Sequence, residues 1–95
     1  MLAAMAHTIR HQRGYLHRVR RLRGQVEALE RTLEAEGDCA KVIHLIAACR
    51  GALQGLMAEV LEGHVRSHVL DPRRATAAQR RAADDLLVVV GTYLR

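Results

Sequence analysis

A proline-free stretch from Cys39 to Leu70, CAKVIHLIAACRGALQGLMAEVLEGHVRSHVL, constrains this chain more than any other segment. Its apolar residues recur at Val42, Ile46, Cys49, Leu53, Leu56 and Val60, in alternating steps of four and three, so it reads as one long helix. A thiol, Cys39, stands in its first turn. Two imidazoles, His64 and His68, stand four residues apart near its end, on one helix face. A straight helix separates Cys39 from His64 by roughly 37 Å, at about 1.5 Å rise per residue. A site that uses both the thiol and the imidazoles therefore cannot come from one helix. The simplest solution is a second copy of the chain with the long helices antiparallel. A two-fold dimer of that kind makes two such sites.

The rest of the chain supports an all-α reading. Helix one is expected over residues 8–36, with Leu16, Val19, Leu22, Val26, Leu29 and Leu33 as its apolar seam. Gly37 is expected to end it at the C′ position, and Asp38 to N-cap helix two. So short a connection makes the helices antiparallel neighbours and returns His7 and His11 toward His64 and His68 of the same chain. The dimer site then draws Cys39 from one protomer and His64 and His68 from the other, with His7 within reach. Gly51 and Gly55, mid-helix, are expected to mark a close helix approach, for instance at the dimer crossing, because each costs about 1 kcal/mol relative to Ala. Asp71-Pro72 stops helix two. Thr76 and Gln79 form a capping box that opens a third helix running to about Tyr93, with Ala82, Leu86, Val89, Val90 and Tyr93 on one face. That short helix has little to pack on within a two-helix hairpin. It is expected to dock on another subunit, which makes a tetramer.

Charge points to a partner. The formal net charge is +5. Arg10, Arg13, Arg18, Arg20, Arg21 and Arg23 crowd the first part of helix one, and no acid appears before Glu27. Such a stripe suits a polyanion, most often nucleic acid; the alternative is a merely solvated face. No helix-turn-helix is evident, so DNA would be met by the outside of a helical bundle. Two cysteines without a signal peptide, and no apolar run long enough to span a membrane, suggest a reduced, cytoplasmic protein. The segment MAHTIR offers an alternative translation start at Met5.

The chemistry narrows further. Imidazole suits Zn, Cu, Fe, Ni and Co, and metals bind the thiolate, the form a helix N-terminus favours. Against a metal site stand two exposed imidazoles and a small hydrophobe in a capping turn. Cys49 lies on the apolar seam and reads as core; His44 and His17 read as surface. No HExxH, P-loop or G-x-S-x-G occurs, so an enzyme is not expected.

RVRRLRGQVEALERTLE, then Gly37-Asp38-Cys39, then LIAACRGALQGLMAEVLEGHVRSHV, together resemble the CsoR/RcnR family of small helical repressors, from His7 to Tyr93. The resemblance implies a three-helix protomer, a disc-like dimer of dimers (a homotetramer), operator double-stranded DNA bound through basic surface, and an inducer site at the dimer interface. The copper(I) branch of that family uses Cys, His and Cys. Cys39 and His64 match the first two, but His68 holds the third place, which argues against copper(I). The nickel/cobalt branch uses an N-terminal His, then Cys, His and His, and His7, Cys39, His64 and His68 match all four. The expectation is a repressor released by Ni(II) or Co(II), with Zn(II) as a further metal and no organic cofactor, controlling a metal-efflux gene. One alternative keeps the fold and senses formaldehyde through Cys39 and the N-terminal amine. Another is a cytosolic metal-binding helical protein that never binds DNA. Three features depart from the family pattern: the residues before Met5, Ser67 where the nickel/cobalt branch can carry an acid, and Cys49.

Overall fold

A computed structural model describes the backbone of residues 2–94 and the side chains of residues 11–94. His7 and Arg10 therefore lie outside the residues whose side chains are described. Three helices carry the chain: α1 (Leu2–Glu34), α2 (Cys39–His64) and α3 (Ala77–Leu94). A π-helical turn, Val65–Val69, extends α2. No strand occurs among the described residues.

Helices α1 and α2 pack along their length as an antiparallel hairpin. The periodic apolar series divides between two faces. On α2, Val42, Cys49 and Leu56 are half-buried toward α1, while Ile46, Leu53 and Val60 open outward. On α1, Leu22 and Leu29 turn inward, while Leu16, Val19, Val26 and Leu33 stay exposed. Only Val65 and Ala83 form a buried apolar core among the described residues. Both lie near the junction of α2 and α3, so α3 is anchored at one end. It leaves Leu86, Val88, Val89 and Tyr93 in the open.

The hairpin turn corrects two expectations. Helix α1 ends at Glu34, so residues 35–38 connect it to α2. The left-handed residue that stops α1 is Glu36, with φ of 53°, rather than Gly37. The Glu36 amide donates to the Leu33 carbonyl at 3.1 Å and the Gly37 amide to the Thr32 carbonyl at 2.8 Å, the paired bonds of a Schellman motif. Gly37 is needed for space: a Cβ there would lie 2.7 Å from Thr32 Cγ2. Asp38 occupies the N-cap position of α2 but makes no side-chain cap bond.

The second junction follows the sequence more closely. The Arg73 amide donates to Asp71 Oδ1 at 2.9 Å, folding an Asx turn ahead of Pro72's break. The capping box forms as expected: the Thr76 amide donates to Gln79 Oε1 at 2.9 Å, and the Gln79 amide to Thr76 Oγ1 at 3.1 Å. Arg80 secures the turn by donating to the Pro72 and Ala75 carbonyls.

Candidate functional site

The outward stripe of α2 carries the chemistry. Cys39, Ile43, Ile46, Arg50, Leu53, Met57, Val60 and His64 follow one another in steps of four and three, so they share a face. Ile43, Ile46, Leu53 and Met57 are each at least half exposed. The stripe therefore begins in a thiol, ends in an imidazole, and is apolar between them except for Arg50. Cys39 is exposed and free.

At the other end the α-helix loosens. The Leu70 amide donates to the Val65 carbonyl at 2.9 Å, a five-residue bond that defines the π turn. The wider turn draws residues four apart closer to one azimuth. The rings of His64 and His68 sit with centroids 5.0 Å apart, tilted by 53°. One ion at about 2.1 Å from a nitrogen of each ring can bridge that gap. His64 is exposed and His68 half-buried.

No group of three or more His, Cys, Asp or Glu that could hold a metal ion occurs among the described residues. The structure brings His64 and His68 together and leaves Cys39 at the far end of the same helix. One protomer thus supplies two nitrogen donors at one place and a sulfur donor at another. The hairpin carries the start of α1 to the histidine end: His11, Gly14 and Tyr15 line a hollow of about 530 Å³ with Glu59, Glu62 and Ser67. Burial, then the charges of Glu59 and Glu62, hold the Tyr15 phenol above its ordinary value.

A latch ties this end to α3. Arg66, inside the π turn, reaches Asp84 at 2.7 Å and Glu62 at 3.4 Å. The Asp84 hydrogen bond is the largest of the effects that raise the Arg66 guanidinium above its ordinary value. Arg66 thus bonds to both helices from between the two histidines.

The described basic residues of α1 spread over more than one face. Arg13 and Arg20, two turns apart, share an outer face, and both are exposed. Arg21 lines a shallow depression against α2 with Arg18, Gln25 and Gly51. None of the ion pairs among the described residues involves Arg13, Arg20 or Arg21, and Arg23 lies 3.9 Å from Glu27. Arg18 differs. Its Nε meets Glu59 Oε2 at 2.7 Å, and its Nη2 donates to Glu59 Oε1 at 3.0 Å. Gly55 makes room for that crossing, since a Cβ there would lie 3.3 Å from Arg18 Nη1. The expected close approach at Gly55 is thus to α1 of the same chain, whereas a Cβ on Gly51 would meet nothing within 4 Å. Sequence reasoning missed the Arg18–Glu59 pair, because it depends on the register of two helices. A basic residue on α1 and an acid on α2 were the only signal.

An all-helical hairpin with a third helix, imidazoles paired at one helix end and arginines on the outside defines a small all-α protein of the three-helix kind. The chain belongs to the metal-sensitive transcriptional repressor family, the CsoR/RcnR family, whose family model matches residues 11–92. It is 47% identical over 91 residues to a Serratia marcescens protein described as an uncharacterized protein in the bioA 5′ region, covering 96% of this chain and all of that one. It is 37% identical over 91 residues to the transcriptional repressor RcnR of Salmonella paratyphi B, with the same coverage. Among solved structures it resembles a glutamate-to-histidine variant of the formaldehyde-responsive regulator FrmR from Salmonella enterica serovar Typhimurium. That match has a TM-score of 0.62 and 39% identity, over 88% of this chain and 93% of the other.

Proposed function

We propose that this protein is a cytoplasmic DNA-binding repressor, working as a homotetramer, that leaves its operator when Ni(II) or Co(II) binds between two protomers. The observation that carries this reading is the α2 stripe. His64 and His68 stand 5.0 Å apart at one end of it and Cys39 at the other, with exposed apolar residues between. An antiparallel second copy covers the apolar residues and brings Cys39 of one protomer to His64 and His68 of the other. His7 completes the proposed donor set, which mixes sulfur and nitrogen in a manner suited to borderline metals. The similarity to RcnR supports the metal reading. Arg10, Arg13, Arg18, Arg20, Arg21 and Arg23 supply the phosphate contacts. No helix among the described residues is long and apolar enough to cross a membrane.

In this mechanism the chain's own residues do three things. The arginines hold operator phosphates, so affinity falls steeply with salt. The donors at the two ends of α2 lock the protomers in one relative position. Arg66 carries that position to α3 through Asp84. A hundredfold weakening of operator binding requires about 2.7 kcal/mol of coupling between inducer and DNA.

The similarity to the formaldehyde-responsive regulator favours a second reading, in which an aldehyde joins Cys39 to an N-terminal amine. One experiment separates them. Operator duplexes are first selected from a random-sequence pool by the protein. Co(II) is then titrated into the reduced protein with and without the selected duplex, followed by absorption, and the titration is repeated with Cys39→Ala and His64→Ala. The metal reading expects release of the duplex and a thiolate-to-cobalt charge-transfer band that both substitutions abolish. Intense d–d bands point to a tetrahedral site and to Zn(II). No tight cobalt binding, with release by formaldehyde that survives His64→Ala, establishes the aldehyde reading instead.

A further inference from the structure

Arg18 occupies an ambiguous position. It belongs to the basic run of α1, yet its guanidinium is held by a carboxylate through two bonds, at 2.7 and 3.0 Å. The edge that Glu59 grips, Nε with Nη2, is one that a phosphate would also grip. A guanidinium paired in this way brings no net charge to a duplex and releases no counterion from it. Both side chains are 42% exposed. Such a pair is weak and solvent-screened, so a phosphate can displace the carboxylate. The contact is also built into the packing, because Gly55 leaves the space that Arg18 crosses. Glu59 stands on α2 little more than one turn before His64, at the same end of the helix as the histidine pair.

We propose that Arg18 is exchanged between Glu59 and operator phosphate, so that the Arg18–Glu59 pair is an autoinhibitory contact that opens when the protein grips DNA. Glu59 sets the affinity of the DNA face without touching DNA. This inference rests on the DNA-binding reading above.

Its test is a double-mutant cycle on the selected operator duplex, read by fluorescence anisotropy across a salt series. Circular dichroism confirms that each variant is folded. Glu59→Gln removes the competing charge and should tighten operator binding by roughly two- to fivefold, the worth of an exposed ion pair. Arg18→Ala should weaken binding and make the slope of log K against log salt shallower by about 0.9 for each Arg18 of the assembly that reaches a phosphate. In the Arg18→Ala background, Glu59→Gln should have no effect. A gain that persists without Arg18 is a general charge effect and overturns the proposal. Weaker binding by Glu59→Gln also overturns it, since Glu59 would then position Arg18 for DNA. A salt slope unchanged by Arg18→Ala overturns it as well. A wild-type protein with no salt-sensitive DNA binding overturns the DNA-binding reading and this proposal together, whereas the first three results leave that reading standing.

Discussion

Glu36 is the one non-glycine position with positive φ among the described residues, at 53°. An L-residue in that region costs about 1 kcal/mol or more, and glycine escapes the cost. The glycine next door cannot relieve it, because Gly37 is spent on steric space beside Thr32. That threonine is buried, and its hydroxyl donates to the Ala28 carbonyl at 2.8 Å, so it cannot turn away from a new Cβ without losing that bond. Glu36→Gly should therefore stabilise the protein by about 1 kcal/mol and raise Tm by roughly 4–8 °C at fixed protein concentration. Gly37→Ala should lower stability by about 1–3 kcal/mol. If Gly37 were the left-handed cap, Glu36→Gly would have little effect. The sequence pointed to this turn and misplaced its pivot by one residue. A Glu-Gly pair favours glycine as the left-handed residue, and the choice is made by which carbonyls, those of Thr32 and Leu33, close the motif.

The elements themselves were legible where the signal is local. The Asp71-Pro72 stop and the Thr76/Gln79 box each act within a few residues, and each appears in the structure as bonds between neighbours. Loss of the cap in Thr76→Ala should cost about 1 kcal/mol, measured as a lower denaturant midpoint with unchanged slope. The bond it removes serves the first turn of α3, so fraying should begin there, seen as faster amide exchange at Gln79. The π turn was not legible: nothing in VRSHVL departs from a helical pattern, and the expected helix ran unbroken to Leu70. The consequence for the site is direct. The His64 and His68 spacing foreseen from sequence is that of an α-helix, whereas the rings stand on a wider turn that also places Arg66 between α2 and α3. Likewise the single seam read along α2 resolves into an inner and an outer series, because a four-three pattern has a partner on either side when the helix is central. The inner series meets α1. The outer one, from Cys39 to His64, leaves Ile43, Ile46, Leu53 and Met57 at least half exposed.

In the proposed dimer a second copy covers that outer series, and the dimensions of the whole molecule suit that reading. A compact monomer of this mass exposes about 5,500 Å², whereas this protomer exposes 7519 Å². It is 56 by 26 by 15 Å, little more than one helical layer thick. The excess of about 2,000 Å² exceeds one partner's share of a standard interface, about 800 Å², and large apolar side chains stand exposed on α1, α2 and α3 alike. Two copies set antiparallel so that Cys39 meets His64 also set Ile46 opposite Met57, since each lies seven residues inside its end of the stripe. Met57→Lys would then place an ammonium against the partner's Ile46, one turn from the partner's Arg50 and with no countercharge on the stripe. Burying such a charge costs several kcal/mol. Sedimentation should show the assembly falling to monomers at concentrations where the wild type stays associated, with its dissociation constant raised at least a hundredfold, about 2.7 kcal/mol. The same variant should lose the cobalt–thiolate band although Cys39, His64 and His68 are all intact, because the thiol and the imidazoles no longer meet. A variant that stays associated and keeps the band would place the dimer contact elsewhere, on the open faces of α1 or α3. A variant that dissociates and keeps the band would mean that one chain supplies the whole site, which the length of α2 forbids for a rigid helix.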